Sequence, residues 1–155
     1  MKTLTAEEAM YKAAAYCSRS EHSTHEIVTK LDSWGVAKEL HNKIIERLIA
    51  EKFIDDRRFC RSYINDKYKY SRWGRIKIMH NLKAKGISAA LFKEVEVETI
   101  DTEVYFENLK AVIKEKLRST KANTPYELRG KLARSAATKG YEPNLIYMVI
   151  DEILD

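Results

Sequence analysis

The seven residues NLKAKGI, 81–87, end in a glycine followed by an apolar residue, and the same turn recurs as KLDSWGV at 30–36 and AATKGY at 136–141. The three glycines, Gly35, Gly86 and Gly140, stand 51 and 54 residues apart. Apolar residues keep fixed offsets from each of them. Ile27, Ile78 and Leu132 lie eight before; Val36, Ile87 and Tyr141 one after; Leu40, Leu91 and Leu145 five after; Ile44, Val95 and Val149 nine after. These offsets have helical spacing on both sides of the glycine. A glycine just past a helix suits the left-handed C-terminal cap, over which the next apolar residue closes. Each glycine therefore marks a corner between two helices, and the chain reads as three copies of one helical unit.

Working outward, helix starts follow from capping chemistry. Thr5 with Glu8, Ser23 with Glu26 and Thr124 with Glu127 fit the capping box, and Pro125 occupies the first helical position after Thr124. Ser88 suits the start of the helix carrying Leu91 and Val95, and Asp55 or Asp56 the start of the one that follows the first unit. The expected helices run near 6–20, 24–34, 37–52, 56–70, 75–85, 89–100, 102–119, 125–139 and 143–154. The fold class is thus all-α, with three tandem three-helix, helix-turn-helix-like repeats in an elongated arrangement. The repeats are expected at 1–54, 55–100 and 101–155, the second being the basic one.

Composition agrees with a helical reading. In 155 residues there are only five Gly and two Pro, while 45% are hydrophobic, enough for a buried core. No run approaches a bilayer span and the first residues lack signal-peptide character, so a cytoplasmic protein is expected. Cys17 and Cys60 are isolated and read as small buried side chains in a reducing compartment.

Charge is where the sequence speaks of function. From Arg57 to Lys85 there are ten Lys or Arg against one acid, Asp66, although the whole chain carries only +5. Lys110 to Lys139 is a second basic block of +7, and acidic stretches separate and flank the two. A merely solvated helix face intersperses acids for pairing with its bases, so this segregation points to an anionic partner. Projected on a helix, Phe59, Cys60, Tyr63 and Ile64 fall on one side of 56–70, with Arg57, Arg58, Arg61, Tyr68 and Lys69 opposite. On the next helix Lys77 and Lys85 point outward, while Arg75 lies near the side of Ile76, Met79 and Leu82 and is expected to snorkel. Trp73 reads first as a core anchor and second as a base-stacking ring. The expected contact residues are Arg57, Arg58, Arg61, Lys69, Arg72, Arg75, Lys77 and Lys85, with Lys131, Arg134 and Lys139 as a second patch. Lys116, Arg118 and Lys121 extend that second patch.

Signals for catalysis are lacking. There is no phosphate-binding glycine loop, no HExxH and no nucleophile motif, so a non-enzyme is expected, without cofactor or metal. Asp55 and Asp56 are explained by capping, and His22 with His25 lacks a third ligand.

Four stretches, STHEIVTKLDSWGV, FIDDRRFCRSYIND, GRIKIMHNLKAKGI and RGKLARSAATKGYEPNLIYMVIDEI, resemble in order the successive signatures of the RecX regulatory proteins. The likeness runs from about Ala9 to the C-terminus. It implies a curved, modular helical protein that lodges in the groove of the RecA filament on DNA. There it would restrain RecA ATPase, strand exchange and coprotease activity in recombination, DNA repair and the SOS response. Single- and double-stranded DNA, bound with weak sequence specificity, are the further expected partners, and a monomer off the membrane is expected. The third corner departs from the family pattern, with Ala136 at a leucine-like position. Two other classes fit less well. A DNA-binding transcriptional regulator acting without RecA would need polar readers on Leu40–Ala50 or Leu145–Asp155, which carry several acids. A purely protein-binding scaffold would bind no DNA and show little salt dependence, so a steep salt slope would sink it.

Overall fold

The computed structural model describes residues 3–155; Met1 and Lys2, the first two residues of the expected first repeat, lie outside them. The described residues contain no strand and nine α-helices: α1 (Ala6–Arg19), α2 (Thr24–Ser33), α3 (His41–Ala50), α4 (Asp56–Lys69), α5 (Arg75–Ala84), α6 (Ala89–Thr99), α7 (Thr102–Ser119), α8 (Pro125–Thr138) and α9 (Pro143–Leu154). A 3-10 turn, Lys38–Leu40, precedes α3. The expected helix over 37–52 is thus split. Ala37 offers no side-chain cap, so the first turn closes on the tighter bond from Leu40 N–H to Ala37 C=O, 3.0 Å.

Most starts are made as capping chemistry requires. Thr5 with Glu8 and Ser23 with Glu26 form complete capping boxes. Thr124 makes only half of one. Its hydroxyl accepts from Glu127 N–H at 3.1 Å, but the Glu127 carboxylate turns to Asn123 N–H and to Lys131 Nζ, 3.1 Å away and one turn on. Asp55 caps α4 by accepting from Arg58 N–H at 3.0 Å. Asp56 has a different task, accepting from Thr24 N–H at 2.7 Å. All three corner glycines have positive φ.

The chain divides into two compact units, Met1–Ser62 with Leu82–Val95, and Tyr63–Asn81 with Glu96–Asp155. In the first, Ala9, Met10, Ala13, Ile27, Leu31, Val36, Ile44, Ile45, Leu48 and Ile54 form one buried cluster. Cys60, Leu82, Ile87 and Val95 are buried in the same unit. Ser23, fully buried, shows how polar groups are accommodated there: its hydroxyl accepts from Glu26 N–H and donates to Lys85 C=O at 2.7 Å. Burial pushes the Cys60 thiol up to about 11.

In the second unit Tyr105, Leu109, Ile113, Leu132, Ala136, Val149 and Ile150 are buried with Ile64, Ile78 and Tyr141. Ala136 fills the leucine-like position without exposure. The corner it precedes is docked backbone to backbone. Gly74 N–H donates to Lys139 C=O at 2.8 Å and Ile76 N–H to Gly140 C=O at 3.0 Å. A Cβ on Gly74 would stand 2.3 Å from the Gly140 carbonyl carbon. The Tyr141 hydroxyl adds a bond to Arg72 C=O, 2.8 Å. Two readings from helical projection are corrected here. Tyr68, placed among the outward cations, is buried, with Asn108 Nδ2 donating to its carbonyl at 2.7 Å. Ile76, placed on the apolar side, is 47% exposed.

Candidate nucleic-acid interface

In the first unit, Arg57, Arg58 and Arg61 lie on α4 and Lys85 just past the end of α5. Arg58 is spent internally. Its Nε meets both oxygens of Glu21, at 2.8 and 2.9 Å, and its other nitrogens donate to the carbonyls of Lys52 and Phe53. Arg57 reaches Glu94 at 3.4 Å and Lys85 reaches Glu26 at 3.4 Å. The Arg57 pair lies in solvent, where such pairs are weak, and the Lys85 pair is half-buried.

In the second unit, Arg75 is the opposite of a free surface cation. It salt-bridges Glu96 at 3.0 Å and Glu142 at 2.9 Å, and its guanidinium lies 4.2 Å from the centre of the Tyr105 ring. The Tyr105 hydroxyl accepts from Arg75 N–H at 2.9 Å and donates to Glu142. Burial, then the Glu142 carboxylate, holds that phenol protonated far above its ordinary range. Burial works against the Arg75 charge, yet the two carboxylates outweigh it and raise its pKa. Arg75 therefore ties α5, α6, α7 and α9 together.

The remaining cations of this unit converge. Lys77, Lys116, Lys121, Lys131, Arg134 and Lys139 line one open groove of about 700 Å³, with the hydroxyls of Ser119, Thr120, Ser135 and Thr138 between them. A neighbouring groove of about 540 Å³ shares Lys116, Ser119, Ser135 and Lys139 and adds Lys69, Arg72 and one acid, Glu115. The convergence has a local cause. Lys116 and Ser119 are on the last turn of α7, Lys131, Arg134, Ser135 and Thr138 on α8, and Lys139 at its cap, so antiparallel packing of α7 and α8 puts their polar faces on one trough. Lys131 Nζ is held by Glu127 and by Lys121 C=O at 2.7 Å, and Lys139 Nζ by Ser71 C=O at 3.3 Å. Among the described residues, Lys69, Arg72, Lys116, Lys121 and Arg134 enter no ion pair. Trp73 stands at the edge of this surface, half-buried, with Lys67 Nζ 4.8 Å and Lys77 Nζ 4.3 Å from its ring centre.

Six cations and four hydroxyls line this one trough, and no acid lies among its lining residues. Lys77, expected with the first block, thus stands with Lys131, Arg134 and Lys139, while Lys69 and Arg72 lie on the adjoining groove. No group of three His, Cys, Asp or Glu among the described residues is arranged to hold a metal ion. His22 instead stacks on Tyr16, ring centres 4.1 Å apart, and no described helix is long and apolar enough to cross a membrane.

Sequence models of RecX match two segments, the second three-helix domain at residues 55–95 and the third at 103–150, together more than half of the chain. The regulatory protein RecX of Clostridium botulinum (strain Alaska E43 / Type E3) is 30% identical, over 100% of this chain and 74% of its own length. That of Prosthecochloris aestuarii is 28% identical over 95% of this chain and 94% of its own. The RecX of Lactobacillus johnsonii, 26% identical over 94% of this chain, is spanned over only 53% of its length. The crystal structure of RecX from Lactobacillus salivarius superposes with a TM-score of 0.85 at 22% identity, over 95% of both chains, which is a likeness of fold. With the sequence models and these identities in agreement along its length, the chain belongs to the RecX family of regulatory proteins.

Proposed function

We propose that this protein binds the RecA filament on DNA and restrains its ATP hydrolysis, strand exchange and coprotease activities, acting in the cytoplasm in recombination and repair. The observation that carries the reading is the cationic trough of the second unit, in a chain of the RecX family. A nucleoprotein filament presents a regular row of phosphates and acidic protein groups, and a row of cations with few acids is complementary to it. In this reading the repeats at 1–54, 55–100 and 101–155 are the recognising modules. Lys69, Arg72, Lys77, Lys131, Arg134 and Lys139 face the filament, with Lys116 and Lys121 beside them. Arg57, Arg61 and Lys85 supply a second contact from the first unit. Arg58 and Arg75 hold the fold instead.

The test is single-stranded-DNA-dependent ATP hydrolysis by the cognate RecA, titrated with this protein at several salt concentrations beside a DNA-only binding assay. Inhibition well below one protein per DNA-binding site is expected, and it should weaken in a Lys77→Glu, Lys139→Glu double variant. Unchanged hydrolysis despite tight, salt-sensitive DNA binding would make the protein a helical DNA-binding regulator that acts without RecA.

A further inference from the structure

On the α8–α9 face of the second unit, Tyr126 and Tyr147 line a common depression of about 350 Å³ together with Glu127, Arg129, Gly130 and Arg134. Tyr126 is 88% exposed and Tyr147 51%, so neither ring serves the core. Tyr126, Gly130 and Arg134 follow one another at a spacing of four along α8 and form one stripe. Tyr147 and Asp151 do the same on α9, and an ion pair from Arg129 to Asp151 ties the two helices at the edge of the depression. Between the exposed rings the floor is Gly130. Glycine inside a helix costs about 1 kcal/mol against alanine, and here no packing requires it. A Cβ at that position would meet only the end of the Arg134 side chain, at 3.4 Å, and φ is not in the left-handed region. A larger side chain at 130 would project into the depression that the two tyrosines line.

Arg134 lines this depression and the cationic groove alike, so a strand whose phosphates follow the groove brings its bases past the tyrosines. Aromatic faces beside a basic track are the recurring arrangement for unpaired bases; in a duplex the base faces are already stacked and unavailable. We propose that this face is a single-strand-specific nucleic-acid site, in which Tyr126 and Tyr147 stack an unpaired base above Gly130 while Arg134 and the groove lysines hold the neighbouring phosphates. This deepens the filament reading by assigning DNA to the third repeat's outer face. It rests on that reading only for the presence of DNA.

The experiment uses the full chain without RecA, measuring fluorescence anisotropy of labelled oligothymidylate of about 15 nucleotides, the same oligomer with abasic sites, and a duplex of equal length. Tyr126→Ala with Tyr147→Ala should weaken single-strand binding about tenfold and leave the duplex and the salt slope unchanged. Gly130→Leu, which fills the floor and favours the helix, should weaken single-strand binding similarly while the melting temperature holds or rises. Lys116→Glu with Lys121→Glu should weaken both DNAs and flatten the salt slope by one to two units, roughly. The wild type should lose affinity for the abasic oligomer, and the tyrosine variant should not. Equal losses on duplex and single strand, or no loss in the tyrosine and Gly130 variants, would overturn the site. RecA inhibition persisting beside such a result would leave the filament reading intact.

Discussion

At Gly140 two constraints coincide, while at Gly35 only one acts. Both have positive φ, +95° and +73°, where a side chain costs about 1 kcal/mol. Around Gly35 nothing lies within 4 Å of an added Cβ, but at Gly140 it would stand 2.3 Å from Lys77 Cβ and 2.6 Å from Lys77 N. Gly35→Ala should therefore lower stability by about 1 kcal/mol, and Gly140→Ala by at least about 3 kcal/mol, since backbone must move. Urea unfolding followed by circular dichroism separates the two, and equal losses would mean that the corner relaxes freely. The positive φ was legible from sequence in both cases; the contact with Lys77 was not, because it joins residues 63 apart. Arg58 teaches the same lesson from the other direction. Helical projection set it opposite the apolar side of α4, yet the side it faces is not open solvent, and Glu21 waits there. Tyr126 and Tyr147 carried no signal of their own, since an aromatic beside a cap or on an apolar helix reads as core until its burial is seen.

Helices were the most legible element because their ends are local chemistry. A Ser, Thr or Asp three residues before a backbone donor, and a glycine after the last turn, need no knowledge of the rest of the chain. The α5 segment shows where this runs out: cations and apolar residues share its faces, so a helical projection set Ile76 inside and left Arg75 at the core's edge, whereas packing with α6, α7 and α9 exposes the first and buries much of the second. Caps also differ in what else they hold. Ser23 serves α2 and, from a fully buried position, Lys85 C=O; Thr124 serves only α8, at the surface. Ser23→Ala should cost about 2–3 kcal/mol and Thr124→Ala about 1 kcal/mol. Thermal melts of the two variants read the difference, and a smaller loss for Ser23→Ala would show that its second bond adds nothing.

On the scale of the whole molecule, the charge runs were plain in the sequence, but their grouping was not. The block from Arg57 to Lys85 is one run in the chain, and its members belong to two compact units; Lys77 joins residues more than 35 positions further on. Both units also share an alkaline liability. Burial raises Cys17 above its ordinary 9.0 and Cys60 to about 11, and raises Tyr105 and Tyr141 above 10.0. As pH rises past 9 the unfolded chain loses these protons before the folded one does, so the unfolded state binds fewer protons and stability falls with pH. The contribution is fully present below about pH 9 and is lost as pH climbs through the folded values. The urea midpoint should hold steady near neutrality and decline from about pH 9 upward. A Cys17→Ala, Cys60→Ala variant should shift that onset towards pH 10, roughly, and an unshifted onset would exonerate the thiols.

The position of Trp73 between Lys67 and Lys77 has an optical side. An ammonium 4.3 Å from the centre of an indole ring perturbs its excited state, and Lys77 belongs to the groove as well as to the ring. If a phosphate draws Lys77 away, as the proposed contact requires, the emission of that ring should change, which would make Trp73 a label-free gauge of whether the groove is occupied.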